Sequence, residues 1–253
     1  MTYEIVTELP GTEITREQLQ RQVNRYHFAA SHCKDKDVLE LACGPGIGLG
    51  LLSECSRSLV AGDIDEKILE IARCNSSAEC GLIDAQQLPF DDNSFDVVVL
   101  FEAIYYLKEP HQFVSECQRV LREGGCVIVC NPNKDLPDFN PSPFSYCYFN
   151  VIDFKKLFEP FDFSVECYGD TPIADSALIN KVFSFAKRLA VRLKLMPTTM
   201  RGKKFLKRIV FGQLVGMPPD IGKAQDKPQP LKDLPDNSAD NKHKVIFCVA
   251  RLN

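Results

Sequence analysis

Val38-Leu39-Glu40-Leu41-Ala42-Cys43-Gly44-Pro45-Gly46-Ile47-Gly48 decides how this chain reads. Its first six residues are of strand length and apolar apart from Glu40. A glycine-rich turn follows, and then a helix-period segment at Leu49–Cys55. A strand ending in Gly-x-Gly lets backbone approach a ligand where a side chain would collide, and it places that ligand at the N-terminus of the next helix. Taken alone the stretch is equally a tight strand-to-helix turn with no ligand.

Working outward, strand-length and helix-period segments alternate. Ser58–Ile64 reads as a second strand, Glu66–Cys74 as a helix, and Gly81–Asp84 as a short third strand. Phe95–Phe101 is apolar throughout except Asp96, the pattern of a strand covered on both faces. A helix at about His111–Leu121 and the Gly124-Gly125 turn lead into a fifth strand, Cys126–Cys130. This alternation predicts an α/β fold with a doubly wound, mainly parallel sheet.

Beyond Cys130 the pattern breaks. Asn131–Pro143 holds four prolines and reads as a loop on the substrate side. Val151–Phe158 is a short helix, Phe163–Tyr168 a further strand, and Lys244–Val249 the last. Asp170–His243 is too long for a simple connection. It reads as an insertion with helices at Leu178–Met196 and about Arg201–Phe211, then a tether at Pro218–Asp240. The expected division is 1–170 plus 244–253 for the main domain and 171–243 for a helical, basic lid and tether.

The 253 residues include 45% hydrophobic and 25% charged, the composition of a globular protein with a sizeable core. No apolar run reaches the ~18–20 residues that span a bilayer, and residues 1–20 lack the features of a signal peptide. The expected location is the cytoplasm, with peripheral contact at the inner face of the membrane as the alternative. Eleven cysteines are scattered without a Cys-x-x-Cys pair, and several lie inside apolar runs where free Cys acts as a small hydrophobe. No zinc-ligand spacing is present, and Asp91-Asp92-Asn93-Ser94 is turn chemistry, so no metal site is expected.

The net charge of −4 conceals an asymmetry. Lys181–Val210 carries ten of the 30 basic residues and no acid, leaving 20 basic against 34 acidic elsewhere. The sum argues against a nucleic-acid binder. Wound as a helix, Lys181, Ser184, Arg188 and Arg192 form one stripe opposite Phe185 and Leu189. One reading is a lid helix with a solvated charged face. The other is contact between Lys181–Arg208 and an anionic membrane or anionic substrate.

Two acids sharpen the reading of the glycine-rich turn. Asp63 ends the second strand, where a carboxylate can accept both hydroxyls of a ribose. Asp84 ends the third strand, where it can accept from an exocyclic amine such as adenine N6. Each acid alone is more often a helix cap or a solvated loop residue, since Asp63 and Asp65 also precede a helix. Gly-x-Gly-x-x-Gly would need glycine at position 49, which is leucine, and no phosphate-gripping lysine follows. A nicotinamide-dependent oxidoreductase is therefore a distant alternative.

At these residues the chain resembles a class I S-adenosylmethionine-dependent methyltransferase of the small-molecule type. The match runs through Val38–Gly46, Gly62-Asp63-Ile64-Asp65, Asp84 with Leu88-Pro89-Phe90, Asn93–Val98, and Arg119–Gly125. The resemblance implies a Rossmann-like, seven-stranded sheet with a reversed final hairpin and a helical insertion before the last strand. It also implies S-adenosylmethionine as cofactor, with Glu40, Gly44 and Gly46 at its methionine end. Asp63 would bind the ribose, Ile64 would pack on the adenine, and Asp84 with Ala85 would contact the adenine edge. Ala42, Phe101 and Tyr26 are further cofactor-side candidates. Arg25–Ala29, Phe101–Leu107, Asn133–Asp135 and Asp138–Pro143 are similar to methyltransferases found among bacterial polysaccharide and glycolipid assembly enzymes.

A sulfonium methyl group is already activated, so the protein mainly aligns the acceptor and excludes water. A hydroxyl acceptor also needs a general base, for which Glu102 and His27 are the candidates. The expected function is methyl transfer to a small-molecule or glycan or glycolipid hydroxyl, or to an amine. A non-catalytic cofactor-binding protein of the same fold is the alternative.

Overall fold

The computed structural model describes residues 9–173, 214–235 and 237–253. The expected helices at Leu178–Met196 and Arg201–Phe211, and the basic stretch Lys181–Arg208, lie outside the described residues.

The elements in chain order are β1 (Glu13–Ile14), α1 (Arg16–Cys33), β2 (Asp37–Leu41), α2 (Leu49–Cys55), β3 (Ser58–Asp63), α3 (Glu66–Asn75) and β4 (Glu79–Leu82). Then come β5 (Phe95–Phe101), α4 (Pro110–Val120), β6 (Leu121–Pro132), α5 (Val151–Phe158), β7 (Phe163–Pro172), β8 (Val215–Gly216), β9 (Lys232–Leu234) and β10 (His243–Leu252). The main sheet runs β4-β3-β2-β5-β6-β10-β7-β9. The first five strands pair in parallel, while β10 is antiparallel to both β6 and β7. The reversed hairpin and the doubly wound sheet are thus as expected.

The sheet has eight strands rather than seven. The added edge strand, Lys232–Leu234, pairs antiparallel with Cys167–Gly169 inside the stretch read as a tether. Three residues, two of them charged, carry no hydrophobic periodicity, and short polar strands are how sheet edges avoid further pairing. The third strand lies at Glu79–Leu82, two residues earlier than expected; the Ile83 N–H still donates to the Asp63 carbonyl at 3.0 Å, and Asp84 then turns back to bridge with Gln87. The described residues 214–235 pack against the main core: Met217 and Ile221 are buried in it, and the Ile221 N–H donates to the Ile47 carbonyl at 2.7 Å.

One apolar core lies under α1, α2 and α3, the other under α4 and α5. In β5, Val97, Val99 and Phe101 face the first core while Val98 and Leu100 face the second. Each fully buried valine or leucine there contributes roughly 1.5–3 kcal/mol, so this strand anchors the layers. Seven of the eleven cysteines are buried, among them Cys117, Cys130 and Cys248 at the centre of the apolar layers.

Helix α1 is an element that the apolar pattern does not announce. Its buried positions include Gln22, Asn24 and Arg25 beside Leu19, Val23, Tyr26 and Ala29. A face that buries polar side chains shows no apolar stripe. Its start is fixed instead by a capping box, in which the Gln18 N–H donates to Thr15 Oγ1 and the Thr15 N–H to Gln18 Oε1.

Candidate active site

The carboxyl ends of β2, β3, β4 and β5 meet at one edge of the sheet, where β2 runs into the Ala42–Gly48 turn. Ala42, Gly44 and Gly46 all adopt positive φ (53°, 56° and 76°). For Ala42 that conformation carries strain, of the kind found where backbone is held for a ligand. A Cβ on Gly44 would meet nothing within 4 Å, so open space lies in front of that backbone. Gly48 has the opposite reason to be glycine. A Cβ there would lie 1.8 Å from the Tyr26 ring.

Asp63 closes the turn from the neighbouring strand. One carboxylate oxygen accepts the Gly44 N–H at 3.0 Å and the other the Asp65 N–H at 3.0 Å. Burial raises the Asp63 pKa, opposed by these backbone donors. Each oxygen keeps accepting capacity for a further donor. Ile64 beside it is 60% exposed, an apolar surface at the mouth of the site. Asp84 accepts the Gln86 N–H at 2.8 Å, and Ala85 is buried behind it. Asp84 therefore holds its own turn, with its remaining lone pairs available.

Three consecutive residues of α1 reach three acids at the ends of three strands. The Asn24 amide donates to Asp170 at 2.8 Å, Arg25 pairs with Glu102 at 3.1 Å, and the Tyr26 hydroxyl donates to Glu40 at 2.9 Å. Successive helix residues project about 100° apart, so one helix turn fans out over β7, β5 and β2. Tyr26 also packs edge-on against Phe101, ring centroids 5.7 Å apart, and the Arg25 guanidinium lies 5.9 Å from the same ring. Glu40 and Asp170 each keep one buried oxygen without a hydrogen-bond partner, Oε2 and Oδ2 respectively. Burial raises the Glu40 pKa to about 8, against the lowering effect of Tyr26 and Arg25. Burial also pushes the Tyr26 hydroxyl well up, helped by the Glu40 charge, so it stays a donor.

The two candidate bases fare differently. Glu102 follows β5 with φ 51° and sits between Arg25 on one oxygen and the Tyr105 hydroxyl on the other, also at 3.1 Å. Burial pushes the Tyr105 hydroxyl well up, so it donates to Glu102 and does not compete for a proton. His27 is half-buried on α1, and its side chain makes no hydrogen bond among the described residues. It projects about 200° round the helix from Arg25, away from the side that reaches Glu102.

The structure thus brings Tyr26, Glu40 and Phe101 into contact, joins Gly44 to Asp63, and sets Asp84 and Ala85 after the adjoining strand. Asn24 and Asp170 were not singled out in the sequence, nor was Arg25 as a site residue. The one available signal was the row Asn24-Arg25-Tyr26, three hydrogen-bonding residues inside a helical segment. Among the described residues no group of three or more His, Cys, Asp or Glu side chains is placed to hold a metal ion.

Residues 39–129 match the family model described as a methyltransferase domain. A Mycolicibacterium smegmatis protein named "Probable S-adenosylmethionine-dependent methyltransferase" is 34% identical over 165 residues, 62% of this chain and 63% of that one. Phthiotriol/phenolphthiotriol dimycocerosates methyltransferase 1 of Mycobacterium ulcerans is 32% identical over 136 residues, 50% of each chain. The chain therefore spans between half and two thirds of the length of these relatives. A solved SAM-dependent methyltransferase from Archaeoglobus fulgidus superposes with a TM-score of 0.58 over 94% of each chain at 17% identity, a likeness of fold.

Proposed function

The chain carries a class I S-adenosylmethionine-dependent methyltransferase domain, and from that premise we propose that it transfers a methyl group to a hydroxyl, or an amine, of a small-molecule or glycan or glycolipid acceptor. The observation that carries the reading is Asp63, held on the Gly44 N–H at the mouth of the glycine-rich turn with exposed Ile64 beside it. The residues present fit the cofactor. Open backbone at Gly44, free accepting capacity on Asp63 and the unpartnered Glu40 Oε2 match a ligand with an amino-acid end and vicinal hydroxyls.

In this reading Asp63 accepts the ribose hydroxyls, Ile64 packs on the adenine, and Asp84 with Ala85 contacts its edge. Ala42, Gly44, Gly46 and Glu40 line the methionine end, with Tyr26 and Phe101 as its wall. S-adenosylmethionine supplies an activated sulfonium methyl. The protein's task is then to orient the acceptor and exclude water, which lowers barriers by roughly 7–11 kcal/mol in favourable cases. For a hydroxyl acceptor the proton goes to Glu102, whose position beyond β5 favours it over His27. The Arg25 guanidinium at 3.1 Å and the Tyr105 hydroxyl at 3.1 Å fix the orientation of that carboxylate.

The name of the Mycobacterium ulcerans relative supports the lipid-bearing end of the acceptor range. The basic stretch Lys181–Arg208 supports an anionic acceptor or an anionic membrane surface. Titration calorimetry with S-adenosylmethionine tests the cofactor assignment: wild type binds, and Asp63→Ala weakens binding about tenfold or more through loss of charge-assisted hydrogen bonds. Absence of binding by wild type, or equal binding by the variant, refutes it.

A further inference from the structure

Among the described residues four large apolar side chains are more than half exposed: Ile64, Leu82, Phe144 and Tyr146. Ile64 belongs to the site above and Leu82 to an edge strand. Phe144 and Tyr146, at 56% and 65%, lie together in the loop between β6 and α5. The surrounding stretch Phe139–Ile152 contains no charged residue. A solvent loop ordinarily mixes in charge and leaves its backbone to water.

The backbone donors of this loop do the reverse. Pro141 and Pro143 have no N–H to satisfy. The Ser142 N–H donates to the Tyr148 hydroxyl at 3.1 Å, Phe144 N–H to Ser142 Oγ at 3.4 Å, and Ser145 N–H to the Ser142 carbonyl at 3.1 Å. The Tyr146 N–H donates to the Tyr105 carbonyl at 2.8 Å. Every backbone donor from Pro141 to Tyr146 is therefore either absent or bonded within the protein. That condition removes much of the cost of leaving water, since each unsatisfied donor costs free energy in an apolar phase.

Below the tip, Tyr148 stacks on Tyr105 at 4.5 Å and Phe139 meets Tyr148 edge-on at 4.8 Å, which makes the base rigid. The Tyr146–Tyr105 bond fixes the tip just beyond β5, on the same edge as Glu102. An apolar ring on Phe144 and an amphipathic one on Tyr146 suit the interfacial zone of a bilayer. Two side chains expose at most a few hundred Å², well short of the ~800 Å² per partner of a stable protein interface.

We propose that Pro141–Tyr146 is a lipid-docking tip that inserts Phe144 and Tyr146 into the headgroup boundary of a membrane and turns the acceptor edge of the sheet toward it. The contact is apolar in origin, so it does not depend on anionic lipid; that the edge turned toward the membrane is the acceptor edge rests on the methyl-transfer reading, whereas the insertion of Phe144 and Tyr146 does not.

The chain contains no tryptophan, so Phe144→Trp is a clean reporter. With phosphatidylcholine vesicles its emission shifts to the blue and is quenched by brominated lipid, at low and high salt alike. Phe144→Asp with Tyr146→Asp lowers vesicle co-sedimentation about tenfold or more. The melting temperature and far-UV dichroism stay as in wild type, because both side chains are exposed. Unchanged emission with vesicles overturns the proposal. So does binding that requires phosphatidylglycerol and is lost at high salt, which would assign the contact to Lys181–Arg208. A blue shift on concentrating the protein without lipid also overturns it, in favour of a second copy of the chain.

Discussion

Glu40 has one oxygen bonded to the Tyr26 hydroxyl and the other without a partner, and its pKa is raised to about 8 by burial. A raised carboxyl pKa means that the folded protein holds a proton which the unfolded chain has released. The stabilising contribution is full below the ordinary value of 4.5 and is lost as pH rises through about 8. Wild-type stability measured by urea unfolding should therefore fall across pH 5 to pH 8, with Glu40 contributing up to about 1.4 kcal/mol per pH unit. Glu40→Gln, which still accepts from Tyr26 but cannot titrate, should flatten that slope. Equal slopes in the two proteins would show that Glu40 ionises normally. Glu40 and Gly48 were both legible as parts of a strand and its turn. That Tyr26 lies against both was not, because Tyr26 precedes them on a helix with no periodic signal.

Helix α1 works as an element because three neighbouring side chains bond to three strand ends. Of these, the Arg25–Glu102 pair is the most exacting, with side chains only 7% and 21% exposed. Arg25→Ala would leave the Glu102 carboxylate with the Tyr105 hydroxyl as its remaining partner named above. Loss of one member of a largely buried pair costs roughly 2–4 kcal/mol, and Arg25→Lys should recover little, since a lysine cannot donate in a fork to both Gln22 and Glu102. Chemical denaturation of the two variants checks this; a change below about 0.5 kcal/mol for Arg25→Ala would mean the pair is only superficial. The helices and strands with apolar periodicity from β2 to β5 lie within a few residues of where the pattern puts them, whereas β6 begins at Leu121, five residues before its expected start, and runs through the expected Gly124-Gly125 turn as strand, its outer end pairing Leu121 with Phe95. Helix α1 and strand β9 escape the pattern because one buries polar groups and the other is a short charged edge.

Across the whole molecule, the return of the chain into the sheet depends on Asp240. Its carboxylate takes Asn133 Nδ2 at 3.1 Å and the His243 N–H at 2.9 Å, and pairs with His243 Nδ1 at 3.0 Å, all buried. These bonds join the carboxyl end of β6 to the start of β10, the strand that links the parallel half of the sheet to β7. Asp240→Ala should cost roughly 2–4 kcal/mol through donors left unsatisfied. Amide exchange should rise at His243–Val245 and remain slow in β2 and β3; uniform acceleration would mean global destabilisation instead. By itself the sequence determined the alternation of strands and helices from Val38 to Cys130, the glycine-rich turn and the acids that flank it. Those signals are local: burial periodicity, turn residues and strand ends all lie within a few positions of one another. Only the tertiary structure decided that Asn24 meets Asp170 and Arg25 meets Glu102, across 146 and 77 residues of chain, and that β9 completes the sheet. Such contacts join polar groups brought together by chain return, and no short-range pattern records which donor a buried carboxylate will find.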